Sequence, residues 1–329
     1  MIDHDRLFKE LISTFFLDFL ELFVPKVRAY VEAGSIEFLD KEVFVDVTAG
    51  ERLEADLVAK VQFKGLAAFF IVHIENQNRA ERDFGRRLFR YFSRLHDRYE
   101  LPVYPIAVFS FPSPRTAQPD VYRVEFPNKV VNEFHFDVIQ LNRLNWRGFV
   151  RKANPVAAAL MAKMDMAPGE RARVKLECLR LLVTLKLNKA KTRLISGFID
   201  SYLELNREER QEFEAETKGL GAREKEDVME IVTSWMKEGL QRGLQQGLQQ
   251  GLQQGRLEAI RDDVLEVLEA RFAAVPVRLK RMLKRIEDPD QLKGLVRQAA
   301  TADSLKDFAQ CLTTPTGGAT ASARTKQQL

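Results

Sequence analysis

Residues 53–63 alternate between apolar and mostly polar side chains, which is the pattern of a β-strand with one buried face. One side of this strand carries only apolar residues, namely Leu53, Ala55, Leu57, Ala59, Val61 and Phe63. The other side carries Glu54, Asp56, Lys60 and Gln62. Residues 67–77 are apolar almost throughout, as expected of a strand covered on both faces. The short link between the two runs, Lys64-Gly65, predicts an antiparallel hairpin.

The length of the hairpin turn decides which polar residues face each other. A two-residue turn at 64–65 places Asp56 opposite His73, whereas a turn two residues longer places Asp56 opposite Glu75. In both registers Asp56, His73, Glu75 and Gln77 share one face of the sheet. Two carboxylates this close repel each other and are costly unless a cation lies between them. They therefore form a candidate site for Mg²⁺ or Mn²⁺, and the alternative is that both are ordinary solvated strand residues.

Patterns on either side of the hairpin predict an α/β fold. An apolar stripe with helical spacing covers residues 3–24 and stops before Pro25. A second helix is predicted over 80–99, and further strands over 36–47, 103–111, 121–126 and 134–141. The order is α-β-β-β-α-β followed by two more strands, so we expect a mixed sheet with helices packed on it.

The predicted helix after Gln77 carries a row of arginines at four-residue spacing, Arg82, Arg86, Arg90, Arg94 and Arg98. Between residues 79 and 98 seven arginines stand against three acidic residues, so the segment is strongly basic although the whole chain has a net charge of only +4. Guanidinium groups in a row suit the phosphate oxygens of a nucleic acid. We expect Arg86, Arg87 and Arg90 to bind DNA because they lie nearest the acidic end of the strand. The alternative is a solvated helix face.

In combination these segments resemble the Rpn family of recombination-promoting nucleases, also described as PD-(D/E)XK nuclease family transposases. The matching stretches are His4–Leu11, Glu54–Val58, Ile74–Gln77 and Arg87–Tyr91. The resemblance covers about residues 1–150 and implies a restriction-endonuclease-like core. It implies Mg²⁺-dependent DNA cleavage in recombination, transposition or defence, with Asp56 and Glu75 as metal ligands and Gln77 in the place of the signature lysine.

Gln77 differs chemically from the lysine it replaces, because an amide can only hydrogen-bond and cannot offset charge on the phosphate. Lys60 on the same strand face, or Lys9 on the first helix, could supply the missing cation. Glu54 is a further candidate metal ligand. His73 lies on the right face, but a single histidine among apolar residues is typical of a structural role.

The second half of the chain is predicted to be all-α. After the nuclease domain at 1–150 we expect a helical extension over 151–236 and a small helical domain over 257–312, which resembles a domain of unknown function that often follows such nucleases. Between them, residues 237–256 repeat glycine, leucine and glutamine at a period of four. Each glycine costs a helix about 1 kcal/mol relative to alanine, which favours a semi-flexible helical linker. The alternative is an oligomerisation helix, and residues 313–329 are expected to be disordered.

Composition narrows the setting of the protein. The two cysteines have no metal-ligand spacing, which is typical of a reduced compartment. The first residues are too acidic for a signal peptide, and the longest clean apolar run, 66–72, is too short to span a bilayer. We therefore expect a soluble cytoplasmic protein. The row of arginines and the family resemblance make DNA its expected partner. Three functions are considered: a DNA endonuclease, a catalytically inactive DNA-binding protein, and an oligomeric assembly protein.

Overall fold

The computed structural model describes residues 4–39, 44–45, 52–53 and 56–313. The chain divides into two compact units, Met1–Trp235 and Met236–Leu329. The first unit is mixed α/β and contains a five-stranded sheet, and the second unit is helical. The predicted fold class is confirmed at this level. The predicted nuclease domain at 1–150 and residues 151–235 of the predicted helical extension fall in the first unit.

Nine strands are present among the described residues. Their bounds are β1 Glu37–Phe38, β2 Phe44–Val45, β3 Arg52–Leu53, β4 Leu57–Gln62, β5 Phe69–Gln77, β6 Val103–Phe109, β7 Val121–Phe126, β8 Lys129–His135 and β9 Asp137–Gln140. The five-stranded sheet has the order β1-β4-β5-β6-β9. Strands β2 and β3 pair with each other, as do β7 and β8. The single strand predicted over 134–141 is therefore two strands, separated at Phe136.

Strand β5 lies in the middle of the sheet, which explains its continuous apolar sequence. It pairs antiparallel with β4 and parallel with β6, and β6 pairs parallel with β9. Every residue of β5 after Phe69 is buried. The sheet is therefore mixed, and the carboxyl ends of its three parallel strands meet at one edge.

The first unit contains eight helices and the beginning of a ninth among its described residues. Their bounds are α1 His4–Thr14, α2 Phe16–Phe23, α3 Pro25–Tyr30, α4 Phe84–Tyr99, α5 Pro155–Leu160, α6 Arg171–Thr184, α7 Lys189–Tyr202, α8 Arg207–Lys218 and α9 Ala222–Phe272. The prediction of one helix over 3–24 is wrong, because Phe15 leaves the helical conformation with φ −122° and ψ 42°. Pro25 is the first residue of another helix, α3, since proline is well accepted at the first helical position.

Helices cover both faces of the sheet. On one face α4 packs through Phe84, Leu88, Tyr91 and Leu95. On the other face a large apolar cluster joins α1, α2 and α3 to the sheet and to α5, α6 and α7. Because this one core contains residues from both sides of position 150, the helices after that position complete the burial of the sheet.

The second unit has its own smaller core. Helix α9 continues into it and is followed by α10 Val277–Lys284, α11 Pro289–Thr301 and α12 Leu305–Thr313. Val264, Leu268, Leu292 and Phe308 are buried at the centre of this core. The predicted glycine repeat at 237–256 lies entirely within α9, as a helix. The tail predicted to be disordered lies outside the described residues from position 314 onward.

Candidate active site between strand β5 and helix α4

The hairpin that joins β4 to β5 sets the register of the site. The backbone N–H of Phe63 donates to the carbonyl of Ala68 at 2.9 Å, so four residues form the turn. Gly65 has φ +73°, a conformation that suits glycine. Leu57 pairs with Ile74, and continuing this register by one residue places Asp56 opposite Glu75. The longer of the two turns considered from the sequence is the one observed.

The side chains of Asp56 and Glu75 each accept a hydrogen bond from the backbone of the opposite segment. The backbone N–H of Asp56 donates to Oε1 of Glu75 at 3.0 Å. Oδ2 of Asp56 accepts from the backbone N–H of Asn76 at 2.7 Å. Glu75 is only 3% exposed, and Asp56 is half-buried. Two carboxylates are thus held side by side where water can stabilise their charges only in part.

His73 orients the carboxylate of Glu75. Its Nε2 lies 2.9 Å from Oε1 of Glu75, and the ring is fully buried. The ring meets Tyr91 edge-on, with 5.5 Å between the ring centres. Nδ1 of His73 is buried and has no hydrogen-bond partner in the part of the chain that the structure describes. A histidine interpreted as structural from the sequence therefore contacts one of the two candidate metal ligands.

Tyr91 of α4 is a member of the site that sequence reasoning did not single out. Burial raises the pKa of its phenol, and the negative charges of Glu75 and Asp56 raise that pKa further, against the charges of Arg87 and Arg94. The phenol consequently stays protonated at neutral pH and can donate a hydrogen bond. Helical spacing could have identified Tyr91 from the sequence, because it lies about one turn after Arg87 on the same side of α4.

Gln77 ends β5 on the same face and is held by Arg87. The Nη2 group of Arg87 donates to Oε1 of Gln77, while its Nη1 group pairs with Glu81. Gln77 is 5% exposed. Since Arg87 takes the amide oxygen, the amide nitrogen is the end of Gln77 that can donate to a further group.

The predicted DNA-binding arginines fall into different surroundings. Arg87 makes the two contacts just described, whereas Arg86 and Arg90 are exposed and form no ion pair with any residue in the described ranges. Arg94 is half-buried and close enough to influence Tyr91. Arg87 lies about 100° around the helix from Arg86 and is outside the row of arginines spaced by four. Arg94 differs from Arg86 and Arg90 because positions four apart drift by about 40° per step, so the row does not stay on one face.

The two auxiliary candidates that the structure describes, Lys60 and Lys9, lie away from Asp56 and Glu75. Lys60 is on the sheet face of the site but four residues along β4 from Asp56, roughly 13 Å away. It pairs with Glu37 at 4.0 Å and lies 4.9 Å from the centre of the Phe69 ring. Lys9 is a half-buried residue of α1, whose apolar side joins the core on the opposite face. Glu54 lies outside the described residues.

The donor atoms at the site fit a hard divalent cation held by few protein ligands. Across the described ranges, no group of three or more His, Cys, Asp or Glu side chains is placed to hold a metal ion. Asp56 and Glu75 nevertheless offer two carboxylates, and no described lysine or arginine forms an ion pair with Glu75. Mg²⁺ is commonly bound by one or two carboxylates together with water and substrate phosphate.

Comparison with known proteins adds no identification. No protein-family model, curated protein or solved structure matches the chain. Within the described residues, no helix has both the length and the apolar character needed to cross a bilayer.

Proposed function

We propose that this protein is a metal-dependent DNA endonuclease with a restriction-endonuclease-like PD-(D/E)XK core. The observation that carries the proposal is the pairing of Asp56 with Glu75 across β4 and β5, with Gln77 on the same face beneath α4. The order of the elements, in which α4 connects the parallel strands β5 and β6, also agrees with this core. The resemblance to the Rpn family supports a role in recombination, transposition or defence.

Asp56 and Glu75 are the residues that would hold Mg²⁺ or Mn²⁺. A bound ion of this kind supplies Lewis acidity for the attacking water and positive charge for the scissile phosphate. His73 fixes the orientation of Glu75 through the contact with Oε1, which leaves Oε2 as the oxygen for a cation. Such support from a neighbouring side chain is typical of metal sites, because it holds the ligand in its binding geometry.

The remaining site residues position the water and the phosphate. Gln77, fixed by Arg87, would donate from its amide nitrogen to the attacking water or to a phosphate oxygen. Tyr91 keeps its proton and would donate to an oxygen of the same group. The exposed guanidinium groups of Arg86 and Arg90 would bind phosphates of the neighbouring backbone.

Plasmid nicking tests this function directly. Purified protein is incubated with supercoiled plasmid in Mg²⁺ and in EDTA, beside the variants Asp56→Asn and Glu75→Gln. Glu125→Gln is the matched control because Glu125 is an exposed acid of β7. We expect nicking only in Mg²⁺, lost in both site variants and retained in the control. Equal nicking by all four proteins would show contamination and contradict the proposal.

A catalytically inactive DNA-binding protein is the second candidate function. It is favoured by one observation: the amide oxygen of Gln77 is already bound to Arg87. The resemblance to the Rpn family puts this glutamine in the place of a catalytic lysine. In that case the protein would retard DNA without nicking it, and Arg90→Ala would weaken the binding. A protein that neither binds nor cleaves DNA would favour an assembly role instead.

A further inference from the structure

A cavity lined by aromatic rings lies at the amino end of α4. Its volume is about 150 Å³, and its walls include Phe84, Phe109, Tyr122 and Phe136. The rings of Phe84 and Phe109 are 4.9 Å apart between centres and meet edge-on. Phe84 and Phe136 are 6.2 Å apart in the same arrangement. These rings give the cavity an aromatic side that a flat ligand can contact.

The rim of the cavity is polar and carries both charges. Arg82 and Arg86 are exposed there and form no ion pair with a described residue. Asp83 and Gln118 also line the cavity and offer oxygen acceptors. An aromatic wall with two cations and a few acceptors at its mouth matches a nucleotide, which joins a flat ring with N–H groups to an anionic phosphate.

Contacts within the protein connect this cavity to the candidate active site. Glu81 lines the cavity and pairs with Arg87, and Arg87 in turn holds the amide of Gln77. Phe109, another wall residue, is the partner of Gln77 in the parallel register of β5 and β6. A DNA strand with one phosphate at Gln77 would therefore have the cavity next to that phosphate.

The volume of the cavity, which is open on one side, favours a small ring. A protein cavity of about 150 Å³ holds one benzene-sized ring. We infer that this cavity binds a single pyrimidine base of an unpaired DNA nucleotide next to the phosphate at the active site. The inference rests on the proposed function and deepens it, because it assigns the nuclease a substrate with at least one unpaired pyrimidine near the scissile bond.

Binding without cleavage tests this inference. Fluorescence anisotropy in EDTA measures the affinity for a short oligothymidylate and for an abasic strand of the same length and charge. Base stacking on an aromatic wall makes the oligothymidylate bind about tenfold more tightly. Val121→Phe, which adds a ring to the cavity wall, should remove this preference. Val124→Phe is the matched control, because Val124 is exposed on the same strand β7 and does not line the cavity.

A second, milder variant tests the inference if Val121→Phe does not fold. Val121→Ile adds a single methylene group to the same wall and should reduce the preference for the oligothymidylate only in part. Circular dichroism verifies that each variant keeps its helices. Equal affinity of the unmodified protein for the two strands would overturn the inference, as would a preference that survives Val121→Phe.

The outcomes also separate this inference from the proposed function. Metal-dependent nicking without a preference for the oligothymidylate overturns the base-binding cavity alone. A preference abolished by Val121→Phe, in a protein that never nicks, supports the cavity and overturns the nuclease. Thymidine monophosphate should compete at least about tenfold more weakly than the strand, since it lacks the neighbouring phosphates. Equal competition would show that the cavity takes free nucleotides and overturn the assignment to a strand.

Discussion

Replacing Glu75 with glutamine should make the metal-free protein more stable while abolishing cleavage. Glu75 is 3% exposed and lies opposite Asp56. Charges on directly opposed strand residues about 5 Å apart repel by roughly 3 kcal/mol at an effective dielectric constant near 20. Glutamine removes this repulsion and keeps an oxygen for the donors His73 and the backbone N–H of Asp56. Since the contact with His73 weakens, we expect a net gain of about 1 kcal/mol in the free energy of unfolding.

Added Mg²⁺ should reverse this order. A cation present at a hundred times its dissociation constant stabilises a protein that binds it by about 2.7 kcal/mol. The unmodified protein should gain this amount, whereas Glu75→Gln should gain little because it has lost one of two ligands. The stability advantage of the variant in EDTA thus becomes a disadvantage in Mg²⁺.

Urea denaturation followed by the fluorescence of Trp146 measures both effects. Trp146 is buried in the core of the first unit, and a Trp235→Phe background removes the other tryptophan signal. Glu125→Gln serves as the exposed control and should change stability by less than about 0.5 kcal/mol. If Glu75→Gln loses stability in EDTA and Mg²⁺ stabilises neither protein, Glu75 is a structural partner of His73 rather than a metal ligand.

Four further variants test three separate features of the chain. Arg87→Ala should slow plasmid nicking about tenfold at saturating DNA, because it removes a charged hydrogen bond to the Gln77 amide. Arg90→Ala should weaken DNA binding and lower the slope of log affinity against log salt concentration by about one. Burial lowers the pKa of Lys163 to about 8. Below that pH the buried charge lowers the free energy of unfolding, and this loss disappears as the pH rises from about 8 to about 10.5, the pKa of an unfolded lysine. Lys163→Met should therefore raise the free energy of unfolding at pH 7 by roughly 1–2 kcal/mol, and less at pH 10. Gly247→Ala with Gly251→Ala should stabilise α9 by about 1 kcal/mol per site and so raise its helix content and melting temperature. An added methyl group at either position meets no described atom from outside its own turn of helix within 4 Å.

Each of these expectations has a clear contrary result. Equal losses of binding and of rate in both arginine variants would remove the distinction between a positioning arginine and a phosphate contact. A stability difference for Lys163→Met that does not change with pH would exclude the titration of that lysine as its cause. Lower melting temperatures after the alanine substitutions would show that the glycines make close contacts, as an oligomerisation helix requires.

Local patterns were sufficient to predict the hairpin and its polar face. Alternation over 53–63 and the apolar run over 67–77 are local consequences of burial, and they correctly indicated β4 and β5. The register was not readable, because it depends on whether the turn contains two residues or four. The bond from Phe63 to Ala68 settles that point, and no local pattern predicts it.

Contacts between distant segments account for the rest of what sequence reasoning missed. Phe15 interrupts the first helix although the apolar stripe continues through it, since α1 and α2 each turn their own phenylalanines into the shared core. Tyr91 joins Phe84, Leu88 and Leu95 in the inner stripe of α4 because spacings of four and three alternate along a packed helix. Neither outcome follows from propensity alone, since both depend on the partner surface.

Under the proposed function, the contacts of Gln77 explain how a site that lacks the signature lysine of the resembled family keeps a positive charge nearby. A lysine on β5 would bring its charge from the strand itself. In this chain the cation nearest to Gln77 among its described contacts is Arg87, which comes from α4 and is steadied by Glu81. A guanidinium group is planar and carries several donors, so Arg87 can bind the Gln77 amide and the Glu81 carboxylate at the same time. The ammonium group of a lysine fixes two such partners less precisely. The basic helix would then have two roles under the proposed function. Its inward arginine would complete the site, and its outward arginines would hold the DNA.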